Sequence, residues 1–120
     1  YRSPATDPAY VIRIAELYLI RAEARAQQDN LPGAAADLDS VRSRAGLAPS
    51  TAVSQSDLLL AIENERRIEL ALEPHRWFDL VRTGRAEAVL GLSDPRKYVF
   101  PLPSAEVGLA KGNLPQNDSY

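Results

Sequence analysis

Residues 65–85 read E-R-R-I-E-L-A-L-E-P-H-R-W-F-D-L-V-R-T-G-R. This stretch holds the chain's one Trp, its one His, an Arg-Arg pair and four carboxylates, all interleaved with aliphatic residues. Such a mixture fits neither a solvent-facing helix nor a plain core helix. A helix is predicted from about Asp57 to Glu73, with Ser54 or Ser56 as its cap and Pro74 ending or bending it. On a wheel of about 100° per residue, Leu58 and Ile62 point the same way as Glu65, Glu69 and Glu73, with Arg66 at the edge of that sector. The face that enters the core therefore starts aliphatic and turns ionic.

Three chemistries compete for that ionic face. Carboxylates one helical turn apart suit a hard cation, but helical di-metal bundles use Glu-x-x-His on two helices. Here His75 lies two residues past Glu73 and across a proline, so no metal ligand is assigned. A general acid needs a carboxyl that keeps its proton, and nearby arginines hold carboxylates ionised, so no catalytic residue is assigned. The third reading is a structural ion network. Glu65, Glu69 and Glu73 would pair with Arg66, Arg76 or Arg82, and with a seam of Arg13 and Glu16 on the first helix, because a guanidinium serves several acceptors at once. Trp77, followed by Phe78, Leu80 and Val81, reads as a core anchor. His75 reads as a capping or packing residue.

Upstream, Asp7 and Pro8 suit a helix start. The pattern from Tyr10 to about Gln28 is helical and apolar over nearly its whole circumference, which predicts burial on most sides. Asp29, Asn30, Pro32 and Gly33 break it. A second helix from about Pro32 to Ala45 places Ala34, Ala35, Leu38 and Val41 on one face, with Arg42 and Arg44 in the last turn and Gly46 as a left-handed stop. The pair forms a helical hairpin whose small residues Ala22 and Ala35 resemble a tetratricopeptide-type unit. Downstream of Pro74, a helix of roughly His75–Arg82 stops near Gly84, and a short piece from Arg85 to Leu90 follows. Tyr98–Pro103 is extended, and its prolines exclude a central strand. Ser104 to Glu106 starts one helical turn, and the polar tail 111–120 is expected to lie over the helices.

With 120 residues the chain is sized for a single domain, 1–120. A formal net charge of −2 gives no electrostatic reason for nucleic acid as a partner. Without Cys the chain has neither disulfides nor thiolate metal sites. No apolar run approaches the roughly 18–20 residues needed to span a bilayer. The chain starts at Tyr1 with no targeting signal, so it is expected to be a fragment of a longer protein. A first helix apolar all round, taken from a helical array, is expected to self-associate or to expose an apolar patch.

Three blocks in order carry a specific resemblance: I-R-I-A-E-L-Y-L-I-R-A-E-A (12–24) with V-R-S-R-A-G-L (41–47), then residues 65–84, then Y-V-F-P-L-P-S-A-E-V (98–107) with L-P-Q-N-D-S-Y (114–120). Together they resemble the C-terminal part of the SusD/RagB family, nutrient-binding outer-membrane lipoproteins of Bacteroidota. The resemblance implies an all-α fold of tetratricopeptide-like hairpins with an extended, irregular C-terminal segment. It also implies a lipid anchor and a place on the extracellular face of the outer membrane. The expected partners are a SusC-like TonB-dependent transporter and an oligosaccharide or other nutrient. Neither catalysis nor a cofactor is implied. The family's helical motifs support the fold and the transporter contact, while ligand is held by variable loops, so no ligand-binding residue is carried over. The different-class alternative is a stand-alone tetratricopeptide-like interaction module.

Overall fold

The computed structural model describes residues 12–120. The elements are α1 (Ile14–Gln27), α2 (Leu31–Arg44), α3 (Gln55–Glu69), α4 (Arg76–Arg82), α5 (Ala86–Leu90), a 3₁₀ turn (Pro95–Tyr98) and α6 (Ser104–Leu109). Among the described residues there is no strand. The chain divides into one compact unit ending at Arg76 and a second, Trp77–Tyr120.

The first unit is a helical hairpin with a third helix against it; α1 packs on both α2 and α3, and α2 also meets α3. The core is narrow. Leu19, Leu38, Leu58 and Ile62 are fully buried, and they are joined by Ala15, Ala22, Ala26 and Ala34. Side chains this small let the α1 and α2 backbones approach closely, and each fully buried Leu or Ile contributes about 1.5–3 kcal/mol of transfer free energy. Buried positions on α1 recur at intervals of four, three and four (Ala15, Leu19, Ala22, Ala26), a single stripe. The expectation that α1 is buried on most sides is therefore corrected: Ile14, Leu17 and Ile20 are all exposed. Periodicity reports which residues are apolar, and two neighbouring helices can cover only part of a cylinder.

The helix ends follow local chemistry. The Asn30 side chain accepts from Gly33 N–H at 3.1 Å and starts α2, while Ser54, one of two candidate caps, accepts from Asp57 N–H at 3.1 Å and starts α3. At the end of α2, Gly46 takes φ +73°. Its N–H donates to Ser43 O at 3.0 Å and Leu47 N–H donates to Arg42 O at 2.9 Å, which completes a Schellman stop. The Gln55 side-chain amide donates to Ala26 O at 2.8 Å, so the first residue of α3 adds a second donor to a carbonyl at the end of α1 that also accepts from Asp29 N–H at 3.1 Å. The expected helix start near Asp7, Pro8 and Tyr10 lies outside the described residues, but Ile12 and Arg13 are not helical: α1 begins at Ile14, and Arg13 is its N-cap in extended backbone.

One boundary departs from expectation by a full turn. Helix α3 ends at Glu69 with Leu70 as its cap, and does not continue to Glu73. The cause is Pro74, whose ring would collide with the carbonyl of residue 70 if the helix continued and which disfavours helical backbone at Glu73. Residues 70–75 turn instead, closed by Ala71 N–H to Ile68 O (3.2 Å) and Glu73 N–H to Leu70 O (3.1 Å). Leu72 sits in this turn at φ +68°, fully exposed. The wheel position of Glu73 therefore does not apply.

In the second unit α4 stops at Gly84 (φ +69°) through the same motif, with Arg85 N–H donating to Leu80 O at 2.8 Å. The tail 111–120 contains no helix or strand. Instead it is sewn to the extended segment before α6. The Gln116 side chain accepts from Leu102 N–H at 2.7 Å and donates to Leu102 O at 2.9 Å. Asn117 Nδ2 donates to Phe100 O (2.6 Å) and Ser119 Oγ to Arg96 O (2.9 Å). Prolines 101 and 103 lack an N–H, so the carboxamide of one side chain takes the place a partner strand would fill.

Candidate functional site

The first unit carries its charges in two clusters. One clamps the hairpin. Asp37 lies among Ala34, Leu38 and Val41 on the inner face of α2, and only 3% of it is exposed. Arg21 of α1 grips it bidentately, Nε to Oδ2 at 2.9 Å and Nη2 to Oδ1 at 2.7 Å; Arg25, one turn on, adds Nη1 to Oδ2 at 2.7 Å. The Arg21 hydrogen bond, ahead of the attraction of both guanidinium charges, holds the Asp37 carboxyl below the usual range although burial opposes it. The same bond raises Arg21 above its ordinary value. Arg21 also lies 5.2 Å from the centroid of the Tyr18 ring. Sequence reasoning missed this clamp. Its signal was present: Asp37 stands at the middle of an i, i+3, i+4, i+7 apolar stripe, opposite a pair of arginines spaced by one turn.

The second cluster surrounds the C-terminal half of α3. Glu65, buried, accepts from Arg42 Nη1 at 2.9 Å, and Arg42 Nε also donates to Ala48 O at 2.9 Å. Both oxygens of Glu69 are engaged, Oε1 by Arg13 Nη1 at 2.9 Å and Oε2 by Arg44 Nη2 at 2.5 Å. Arg13 extends its other amino group to Glu69 O (2.6 Å) and to Glu73 Oε1 (2.7 Å). Arg66, also buried, comes within 3.9 Å of Glu16 Oε1. Arg76 pairs with Glu63 at 3.2 Å.

Of the pairings named from sequence, Arg13 meets Glu69 and Glu73 as expected, whereas Arg66, Arg76 and Arg82 are directed to other carboxylates. Arg13 and Glu16 reach the Glu65–Glu73 region, but Glu65 takes Arg42, and Glu69 takes Arg13 and Arg44. Arg76 takes Glu63. Arg82 lies in the second unit, where Nε and Nη2 both donate to Asp79 Oδ1 at 3.0 and 2.9 Å. The reason is geometric. A guanidinium reaches residues on the facing helix more easily than those ahead on its own, and α2 presents Arg42 and Arg44 to α3. Their place in the last turn of α2, which suits the helix dipole, concealed this second use.

In the second unit Trp77 is half-buried within an aromatic group. Tyr98 meets it edge-on with centroids 6.5 Å apart, and Phe100 lies at 5.8 Å with the planes tilted by 40°. Phe78 adds an edge contact to Phe100 at 6.5 Å. The reading of Trp77 as a core anchor is corrected: it is half-buried and not among the buried core residues, because its ring neighbours Phe78 and Phe100 are themselves exposed.

The chain as a whole has counterparts among known proteins. Residues 2–97 match the SusD family. The chain belongs to that family. The SusD-like protein P2 of Formosa agariphila is 32% identical over 91% of this chain, and SusD-like protein P38 of the same organism is 34% identical over 74% of it. The chain spans about a quarter of the length of the first of these relatives (25%) and a fifth of the second (20%). Among solved structures, a SusD-like protein from Bacteroides fragilis superposes over the whole chain with a TM-score of 0.78 at 28% identity, covering 28% of that protein. Surface glycan-binding protein A from Bacteroides thetaiotaomicron superposes over 90% of the chain with a TM-score of 0.75 at 33% identity, covering 24% of that protein. The SusD fold of helical, tetratricopeptide-like hairpins is thereby the fold of this chain.

Proposed function

We propose that this SusD-family chain is part of a cell-surface glycan-binding protein that delivers its ligand to a TonB-dependent outer-membrane transporter. Its own segment supplies scaffold and partner contact. The observation that carries this reading is the match to a surface glycan-binding protein at 33% identity across 90% of the chain. The geometry agrees with a supporting role. The carboxylates that first suggested chemistry are held by arginines from other parts of the unit, Arg42 and Arg44 of α2 and Arg13 just before α1, an arrangement that ties elements together. Such a protein binds without turning over its ligand and sits on the outer face of the outer membrane through a lipid anchor. Among the described residues, no helix is long and apolar enough to cross a membrane.

The test uses the full-length protein on a glycan array, followed by titration calorimetry with the best oligosaccharide and co-purification with a SusC-like TonB-dependent transporter from the same cells. Saturable binding with no hydrolysis products, together with transporter co-purification, is expected. Release of shortened sugars, or absence of both glycan binding and transporter association, would overturn the reading.

A further inference from the structure

His75 is the single histidine of the chain, and it lies in the turn between α3 and α4. Each of its ring nitrogens faces a different carboxylate. Nδ1 is 3.6 Å from Glu16 Oε1 on α1, and Nε2 is 3.5 Å from Glu73 Oε2 within the turn. These distances lie just beyond good hydrogen-bond length. A neutral imidazole has one N–H, so it can donate to one of these carboxylates and must turn a lone pair toward the other. With a second proton it can donate to both.

We propose that His75 is a proton-operated latch that ties the 70–75 turn to α1. In the protonated state the ring bridges Glu16 and Glu73 by two charge-assisted hydrogen bonds, and small side-chain rotations close both gaps. In the neutral state one arm carries lone-pair repulsion and the turn is held less tightly. Histidine is the side chain whose charge ordinarily changes between about pH 5 and pH 8, a range in which side-chain carboxylates stay ionised.

The surrounding charges leave room for this cation. Arg13, just before α1, takes Glu73 Oε1 at 2.7 Å and leaves Oε2 toward His75. Arg66 of α3 lies 3.9 Å from the same Glu16 oxygen that faces His75. Arg76, the next residue, is directed to Glu63, and Glu69 is taken by Arg13 and Arg44. Each carboxylate has about four lone-pair sites, so one arginine does not saturate it. The turn itself lies outside the regular helical hydrogen bonding of the unit. It contains Leu72 at positive φ, follows a helix end and precedes a proline-linked restart.

The test follows hydrogen exchange of the Ala71, Glu73 and His75 amides in the full chain from about pH 8 to about pH 5.5, after correction for intrinsic exchange. Protection is expected to rise several-fold toward acid in the parent. The rise should be lost in His75→Gln, and reduced in Glu16→Gln and in Glu73→Gln. A merely structural His75 would lower protection equally at every pH, and that result would overturn the latch. Should a variant fail to fold, carbon-13 NMR of the parent decides. The Glu16 and Glu73 carboxyl carbons must shift together with the His75 ring as it titrates, and independent shifts would overturn the proposal.

Discussion

Arg13 closes the C-terminal end of α3: one amino group donates to the Glu69 carboxylate at 2.9 Å and the other to the Glu69 backbone carbonyl at 2.6 Å. A residue from the start of α1 thus satisfies one of the carbonyls that α3 leaves without an intrahelical partner, and places a cation at the negative end of its dipole. The expected cost of losing a fully buried partner of Glu69 is about 3–5 kcal/mol. That limit does not apply, because the Arg13 and Arg44 side chains are 31% and 58% exposed. Water can solvate either arginine once Glu69 is removed. Glu69→Ala is therefore expected to destabilise by about 1.5–3 kcal/mol, the range for charged hydrogen bonds. Urea unfolding measures it, and a melt indistinguishable from the parent would contradict the arrangement.

The Asp37 clamp is expected to be the more sensitive of the two clusters. Asp37→Asn keeps the shape but removes the charge that both arginines address, and should cost about 2–3 kcal/mol in chemical denaturation. Asp37→Leu tests a different quantity. Because Asp37 occupies the apolar stripe of α2, a hydrophobic replacement should recover part of the loss, as it does at other buried ion pairs.

Acid should weaken the same clamp. The folded-state value of Asp37 is depressed relative to the unfolded chain, so its stabilisation is complete above the ordinary Asp value of about 4 and is lost as pH falls through the lowered folded value. In melts between about pH 5 and pH 2, the difference between parent and Asp37→Asn should shrink toward acid. A difference that stays constant across that window would show that Asp37 contributes packing and not charge.

Leu72 supplies a prediction of the opposite sign. It is fully exposed and held at φ +68°, a conformation that costs a residue with a Cβ about 1–2 kcal/mol. Leu72→Gly should raise stability by about 1 kcal/mol in thermal unfolding, because no packing is lost. Asp29 shares the left-handed backbone at φ +62°, yet Asp tolerates that region, so Asp29→Gly should gain less. Equal effects at both positions would refute the argument.

Gln116 gives the second unit its own test. Its carboxamide both accepts from and donates to the Leu102 backbone. Gln116→Glu retains the acceptor and loses the donor, leaving a carboxylate against the Leu102 carbonyl. Hydrogen exchange at Leu102 should accelerate more in Gln116→Glu than in Gln116→Asn, and the reverse order would place the anchoring elsewhere.

Much of this arrangement was legible along the chain. The break at Asn30, the cap at Ser54 and the stops at Gly46 and Gly84 all follow from local chemistry, and the structure has each of them. The three sequence blocks carried the family. Three features were not legible. The full reach of Pro74, which ends α3 at Glu69, required the backbone path. The exposure of Ile14, Leu17 and Ile20 depends on how many neighbours surround α1. The tail's attachment to Leu102 depends on two segments meeting that are far apart in sequence.

What the sequence determined by itself was which residues are helical, where most helices start and stop, and that a mixed ionic and aliphatic face lies at the end of α3. Those are properties of neighbours within a few residues, set by capping, proline and glycine backbone limits and a repeat of 3.6. What only the tertiary structure decided was the pairing. Glu65 meets Arg42, Glu69 meets Arg13 and Arg44, and Asp37 meets Arg21 and Arg25. An ion pair depends on distance in space, and the packing of α1, α2 and α3 on one another brings those charges within reach.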